Sequence, residues 1–229
     1  MIGITSAGAY LPRMRLQRSA IAAANAWFDP SLRGLSKGER TMCNWDEDPI
    51  TMAVSAAQDC QADGMGAHID AVYFASTSAP FIDRQNAGVI AEALSLGSGL
   101  RTMDVGGSRR DATSATLAAI DMVRSNPGGN VLITAAENRR ALVGSPLEMI
   151  YGDGAAAVSI GSEGVIAEFV TAYTHAEDFV DQVVHAHPTL VKKTAKKASS
   201  TITVKIAWTT ALVVRLPTSS ELPRTCMPW

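Results

Sequence analysis

Apolar positions in this chain occur in two kinds of run, and the alternation between them predicts its elements. Residues 71–77 (AVYFAST) and 130–136 (NVLITAA) are short, nearly continuous apolar runs, the signature of strands buried on both faces. Residues 100–105 (LRTMDV) form a shorter run of the same kind, and residues 2–12 read as a strand that stops at Pro12. Between these runs the apolar residues recur with helical spacing. Residues 18–28 and 84–96 are rich in good helix formers. A third helix opens with Asp48 at the N-cap and Pro49 at the first turn, places Ile50, Ala53, Val54 and Ala57 on one face, and meets a stop signal at Gly64. A fourth runs from Asp111 to Asp121 with no charge in between. Its Ala112, Ala115, Leu117, Ala118 and Ile120 cover most of the circumference, which predicts a helix buried all round.

Residues 31–45 mix Gly, Ser and charged residues and read as a loop. Residues 151–161 turn through Gly152, Asp153 and Gly154 into a strand, and residues 165–174 are expected to pair with it through a turn at 162–164. The sum is βαβαβαββ, an α/β sheet that is mostly parallel with an antiparallel edge.

With 47% hydrophobic and 18% charged residues and a net charge of −2, the 229-residue chain reads as globular, one domain or two small ones, with no polyanion such as nucleic acid as its partner. The charge is unevenly spread. Thirteen basic and twenty-one acidic residues precede position 191, whereas seven basic and one acidic follow, and all the lysines but Lys37 lie in that tail. The expected organisation is therefore a domain over 1–186 and an anomalous basic tail over 187–229, out of frame or disordered. Its end, LVVRLPTSSELPRTCMPW, shows no coherent pattern of any element. The first residues lack a basic region before an apolar core, and the longest apolar stretch of the tail, 206–214, falls short of the ~20 residues that span a bilayer. No membrane association and a cytoplasmic location are expected. Cys43, Cys60 and Cys226 stand far apart, with no paired spacing for zinc or disulfides, as in a reducing compartment.

Candidate chemistry centres on the strand–turn–helix junction DVGGSRRDATSA, which opens at Asp104. As a nucleophile elbow it would use Ser108, but Arg110 stands where a glycine is needed, and His175, His185 and His187 come only near or inside the tail. Ser108 reads more simply as the helix N-cap. As a phosphate cradle the junction lacks the lysine of a P-loop, although Arg109 and Arg110 could hold an anion by charge. Elsewhere, Cys60 falls near the end of a predicted surface helix and Cys43 in a loop, so neither reads as catalytic. His185 and His187 lack a third ligand, and Asp46 to Asp48 complement a helix dipole; no metal is expected.

Five motifs in register, DEDPITMAVSAA, VYFASTSAP, DVGGSRRDATSA, VLITAAENR and YGDGAAAVSIG, followed by AYTHAEDFVD, resemble the N-terminal half of the thiolase superfamily over residues 2–181. The likeness is closest to the hydroxymethylglutaryl-CoA synthases of archaea and bacteria, with 3-oxoacyl-ACP synthase III more distant. It implies a thiolase-like α/β half domain: a mostly parallel, mixed five-stranded sheet with helices on both faces, one of two halves that pack as αβαβα. It also implies acyl-CoA or an acyl carrier as substrate, no cofactor, a homodimer with strand 100–105 at its interface, and a small OB-fold protein as a partner. In that family a cysteine at the start of the buried helix is acylated, a glutamate moves the proton of the acetyl methyl group, and a histidine polarises the second carbonyl. The cysteine position falls on Arg109 and the glutamate position on Thr77, while the histidine would lie beyond residue 181. Arginine cannot be acylated as a thiolate can, and threonine is no base near neutral pH. Two functions follow: a divergent or truncated acyl-CoA condensing acyltransferase of the hydroxymethylglutaryl-CoA synthase type, its activity impaired, or a non-catalytic thiolase-like subunit that supports a partner through an acyl-CoA groove or dimer surface.

Overall fold

A computed structural model describes residues 1–62, 68–174 and 210–215. Its first strand, β1 (Gly3–Tyr10), lies inside the main sheet, and β2 (Met14–Gln17) leads straight into helix α1 (Arg18–Asn25). The stretch expected to be a loop over 31–45 is ordered: a 3-10 helix occupies Pro30–Leu35, and β3 (Glu39–Met42) pairs antiparallel with β2. This small sheet is fixed by non-local bonds that no local pattern announces. Thr41 Oγ1 donates to the Asp153 carbonyl at 2.6 Å, and Arg40 Nη1 to the Tyr151 carbonyl at 3.2 Å.

Helix α2 (Pro49–Ala62) starts where its sequence says it should. Asp48 and Thr51 cap it reciprocally: Thr51 N–H donates to Asp48 Oδ1 at 2.8 Å, and Asp48 N–H donates to Thr51 Oγ1 at 2.7 Å. Its stop signal, Gly64, lies outside the described residues. The expectation of a surface helix fails, because Met52, Ala53, Ala56, Ala57 and Cys60 are all buried against the sheet. Small residues make that approach possible. A Cβ on Gly8 of β1 would sit 2.2 Å from the Cys60 nitrogen, so the two backbones touch.

The remaining elements are β4 (Ala71–Ala75), α3 (Asn86–Ala93), β5 (Arg101–Val105), α4 (Asp111–Ser125), β6 (Val131–Glu137), the short α5 (Pro146–Ile150), β7 (Gly154–Gly161), β8 (Ala167–Thr174) and β9 (Thr210–Arg215). Helix α5, not anticipated from the sequence, is capped by Ser145 and begins with Pro146. The main sheet has the order β5-β4-β6-β7-β1-β8-β9, seven strands among the described residues rather than five. Beyond β1 the antiparallel side holds β8, which covers the strand expected over 165–174, and β9, which no pattern announced. Strands β5, β4 and β6 are mutually parallel, and the other ladders are antiparallel.

The expected hairpin between β7 and β8 is not formed, because β1 sits between the two strands and pairs with both. Ile166 N–H donates to the Ile4 carbonyl at 2.8 Å, and Phe169 N–H to the Ile2 carbonyl at 2.9 Å. Gly3 permits the contact, since a Cβ there would lie 2.1 Å from the Ala167 carbonyl oxygen. The tail also contributes backbone: residues 212–215 of the segment read as patternless belong to β9. Residues 175–209 and 216–229, with His175, His185, His187 and Cys226, lie outside the described residues.

Helices cover both faces of the sheet. Strand β4 divides its side chains by the two-residue period, sending Val72 and Phe74 to a core with α2 and α3, and Ala71, Tyr73 and Ala75 to a second core with α4. Helix α4 is buried on one side only. Ala115, Ala119, Ile120, Met122 and Val123 pack on the sheet, whereas Thr116, Leu117 and Ala118 are partly open among the described residues and Ala112 is exposed. Its all-round apolar character is thus used on one face of this chain. Among the described residues no helix is long and apolar enough to cross a membrane.

Candidate active site

The parallel strands β4, β5 and β6 end at one rim of the sheet, where α4 begins, and the crevice beyond such strand ends is the usual place for a ligand in an open α/β sheet. A cleft of about 400 Å³ opens there. Its walls are small and apolar: Ala75 from β4, Ala135 and Ala136 from β6, Ala155 and Ala156 from β7. The polar groups that reach it are Ser76, Ser108, Arg109, Asp111 and Glu137.

The turn from β5 into α4 places Arg109, and its geometry depends on glycine. Gly107 has φ +91°, a conformation that side chains disfavour. The turn then consumes its own donors. Ser108 N–H donates to Asp111 Oδ1 at 2.9 Å, and Arg110 N–H to Ser108 Oγ at 3.2 Å. An incoming phosphate would find these two amides taken, so the cradle reading is not supported by the geometry. Ser108 is not the N-cap, a position held by Arg110, whose side chain makes no capping bond. The Ser108 hydroxyl has no basic partner among the described residues, and His175, His185 and His187 lie outside them. Nothing in the structure explains the Arg110 side chain.

Arg109 is exposed at the cleft and pairs with no carboxylate among the described residues. Thr77 takes a different place. It follows β4 and does not line the cleft itself; instead it holds a residue that does. Its N–H donates to Glu137 Oε1 at 2.7 Å and its hydroxyl to Glu137 Oε2 at 2.9 Å, and the Ser78 hydroxyl donates to the same Oε2 at 2.9 Å. Three donors on one carboxylate hold Glu137 in a fixed orientation.

Asp111 is the second carboxyl of the cleft. It is 5% exposed, its Oδ1 is bound by the Ser108 amide, and its Oδ2 is buried without a partner. Burial pushes its pKa up and the nearby Glu137 adds to this, while the Ser108 amide and Arg139 pull the other way; the net direction is upward. Neither Glu137 nor Asp111 was singled out from the sequence as a site residue. The available signals were the acid at the end of a buried strand, AAE, and the acid in the first turn of the helix that opens at Asp111.

The two described cysteines lie elsewhere. Cys60 is buried under β1, its Sγ 3.1 Å from Ser6 Oγ. Cys43, just after β3, has its thiol pushed up to about 12, first by burial and then by the Asp153 carboxylate, which also accepts the Cys43 N–H at 2.8 Å. A thiol so disfavoured as thiolate is no nucleophile at neutral pH. Among the described residues no group of three or more His, Cys, Asp or Glu is placed to hold a metal ion. Of the acidic run, Asp48 caps α2 and Glu47 receives the Tyr10 hydroxyl.

No family model matches the chain. It is 34% identical over 182 residues to the hydroxymethylglutaryl-CoA synthase of Aeropyrum pernix, an alignment covering 78% of this chain and 50% of the relative. The fold matches a hydroxymethylglutaryl-CoA synthase solved in complex with CoA, with a TM-score of 0.75 and 22% identity, over 84% of this chain and 50% of that one. It also matches 3-oxoacyl-(acyl carrier protein) synthase III of Pseudomonas aeruginosa, with a TM-score of 0.68 and 20% identity, over 80% of this chain and 58% of that one. The chain spans about half the length of the curated relatives it matches. Its sequence is thus similar to hydroxymethylglutaryl-CoA synthases over about half their length, which fits an N-terminal half, and its fold is thiolase-like.

Proposed function

We propose that this chain is a divergent acyl-CoA condensing-enzyme homologue that binds an acyl thioester without becoming acylated, and so serves as a non-catalytic thiolase-like subunit. The observation that carries this reading is Arg109 at the cleft, in the position matched to the family cysteine, with both described thiols elsewhere. The apolar walls suit a short acyl chain, and relatives solved with CoA or acting on acyl carriers support CoA or an acyl carrier as the thioester's other half. No cofactor is needed for such binding. The reading includes a homodimer along β5, which is the edge strand of the described sheet, a small OB-fold protein as a further partner, and a cytoplasmic location away from membranes and nucleic acid. It keeps residues 187–229 as an anomalous segment following the domain over 1–186, although residues 210–215 join that domain's sheet as β9; reading the coding DNA in its other frames beyond the codon for residue 181 tests this.

The test is incubation of the chain with radiolabelled acetyl-CoA, followed by acid precipitation and, in parallel, equilibrium binding of CoA. Binding without acid-stable label is the expected result. Acid-stable label on the protein would instead establish the condensing acyltransferase.

A further inference from the structure

One buried oxygen of Asp111 has no partner among the described residues. Its carboxyl is 5% exposed, and the Ser108 N–H fixes Oδ1 at 2.9 Å, which sets the rotation of the whole group and leaves Oδ2 as a buried polar atom without a bond. Asp111 lines the same cleft as Ala75, Ala112, Ala135 and Glu137. Buried polar groups are almost always paired, so an orphan atom at a cleft marks a place where something else completes the bond. What it pairs with depends on its proton.

The charged groups around Asp111 are few. Glu137 at the end of β6 reaches the cleft held by Thr77 and Ser78, Arg139 follows it, and Arg109 precedes Asp111 on the same turn. Two carboxyls close together in an apolar surrounding do not both ionise readily. Glu137 accepts from three donors, whereas Asp111 accepts from one. Burial and Glu137 also act in the direction that keeps Asp111 protonated.

We propose that Asp111 carries its proton on Oδ2 and donates it as a hydrogen bond to the carbonyl oxygen of a short acyl thioester seated in the cleft. The proposal rests on the acyl-thioester reading above and adds the residue that selects for the acyl group. No bond breaks in this step: the proton stays on Asp111, shared with the ligand's oxygen. CoA without an acyl group has no such oxygen, so acyl thioester and free thiol are distinguished by this one contact.

The experiment measures binding of acetyl-CoA and of CoA to the full chain by titration calorimetry across acid to alkaline pH. Acetyl-CoA should bind the wild type about five- to tenfold more tightly than CoA, the worth of one hydrogen bond. This surplus should fade as pH rises and Asp111 ionises. Asp111→Asn, which keeps the shape and offers an N–H where the acid offered O–H, should retain the surplus at every pH. Asp111→Ala should lose it, read as the ratio of the two affinities in that variant. Equal loss in Asp111→Asn and Asp111→Ala, or a surplus untouched by either, overturns the assignment and leaves the acyl-thioester reading standing. If neither acetyl-CoA nor CoA binds, the acyl-thioester reading falls and the proposed ligand with it. The infrared difference spectrum of wild type minus Asp111→Asn then still decides the proton: a protonated-carboxyl band at neutral pH supports a donor at Oδ2, and its absence overturns it.

Discussion

Replacing Glu137 with alanine should unfold the chain at a measurably lower temperature, because three donors converge on its carboxylate. Thr77 N–H, the Thr77 hydroxyl and the Ser78 hydroxyl converge on it at 2.7, 2.9 and 2.9 Å. Hydrogen bonds to a charged group are worth about 1.5–3 kcal/mol each, but the two hydroxyls sit in partly open positions and can turn to water. Taking the amide near the low end and each hydroxyl at about 0.5 kcal/mol gives a loss of about 2.5 kcal/mol. For a chain of this size that lowers Tm by about 5–10 °C. Circular dichroism melts of the wild type, Glu137→Ala, Thr77→Val and the double variant form a cycle. The coupling expected between Thr77 and Glu137 is about 1 kcal/mol, as for groups in direct contact. A Glu137→Ala melt within about 1 °C of the wild type, or strict additivity in the cycle, would refute the view that Thr77 acts by holding Glu137.

Asp48→Ala should cost about 1 kcal/mol and about 2–4 °C in Tm through loss of the reciprocal cap, whereas Asp46→Ala, at an exposed residue that makes no side-chain bond among the described residues, should leave the melt unchanged. Gly8→Ala should destabilise by about 3 kcal/mol or more in a urea titration, since its Cβ would meet backbone atoms of Ala56 and Cys60 at 2.6 and 2.2 Å. Cys43 should react with iodoacetamide at pH 8 about 10²- to 10³-fold more slowly than an ordinary thiol, because a pKa near 12 instead of 9.0 leaves so little thiolate, and its rate should climb with pH up to that value. Peptide mapping after timed alkylation reads this; alkylation of Cys43 as fast as a free thiol refutes it.

What the sequence made legible was what local pattern controls. Strands β4 and β6, the Asp48 cap and the start of α4 after a glycine turn all follow from runs, periods and end signals within a dozen residues. What it hid depends on partners far along the chain. Strand β3 is held by β2 and by bonds to residues 151 and 153, and β1 displaces β8 from β7 because Gly3 lets the backbones meet. The site divides the same way. Arg109 could be placed from its motif, whereas the partnership of Thr77 with Glu137 spans sixty positions and leaves no periodic trace. The orphan oxygen of Asp111 is a property of burial, which the composition of one turn does not reveal.

On the proposed reading, in which Arg109 stands at the position matched to the family cysteine, the missing thiol is not the whole change at this turn. A cysteine at a helix start is activated because free N–H groups and the helix dipole favour its thiolate, often by a pKa unit or more. Here Asp111 Oδ1 already accepts the Ser108 N–H, so that donor is spent, and Glu137 adds a negative charge on the cleft. Restoring sulfur alone should therefore restore little. Arg109→Cys should take up acid-stable label from radiolabelled acetyl-CoA at least about tenfold more slowly than Arg109→Cys/Asp111→Gly, in which the Ser108 amide is released, when both variants melt as folded proteins. Equal labelling of the single and double variants would mean that the turn remains a working thiolate site and that Arg109 alone silences it. A difference in the expected direction would mean that Asp111 and Arg109 together convert an acylating turn into a binding one.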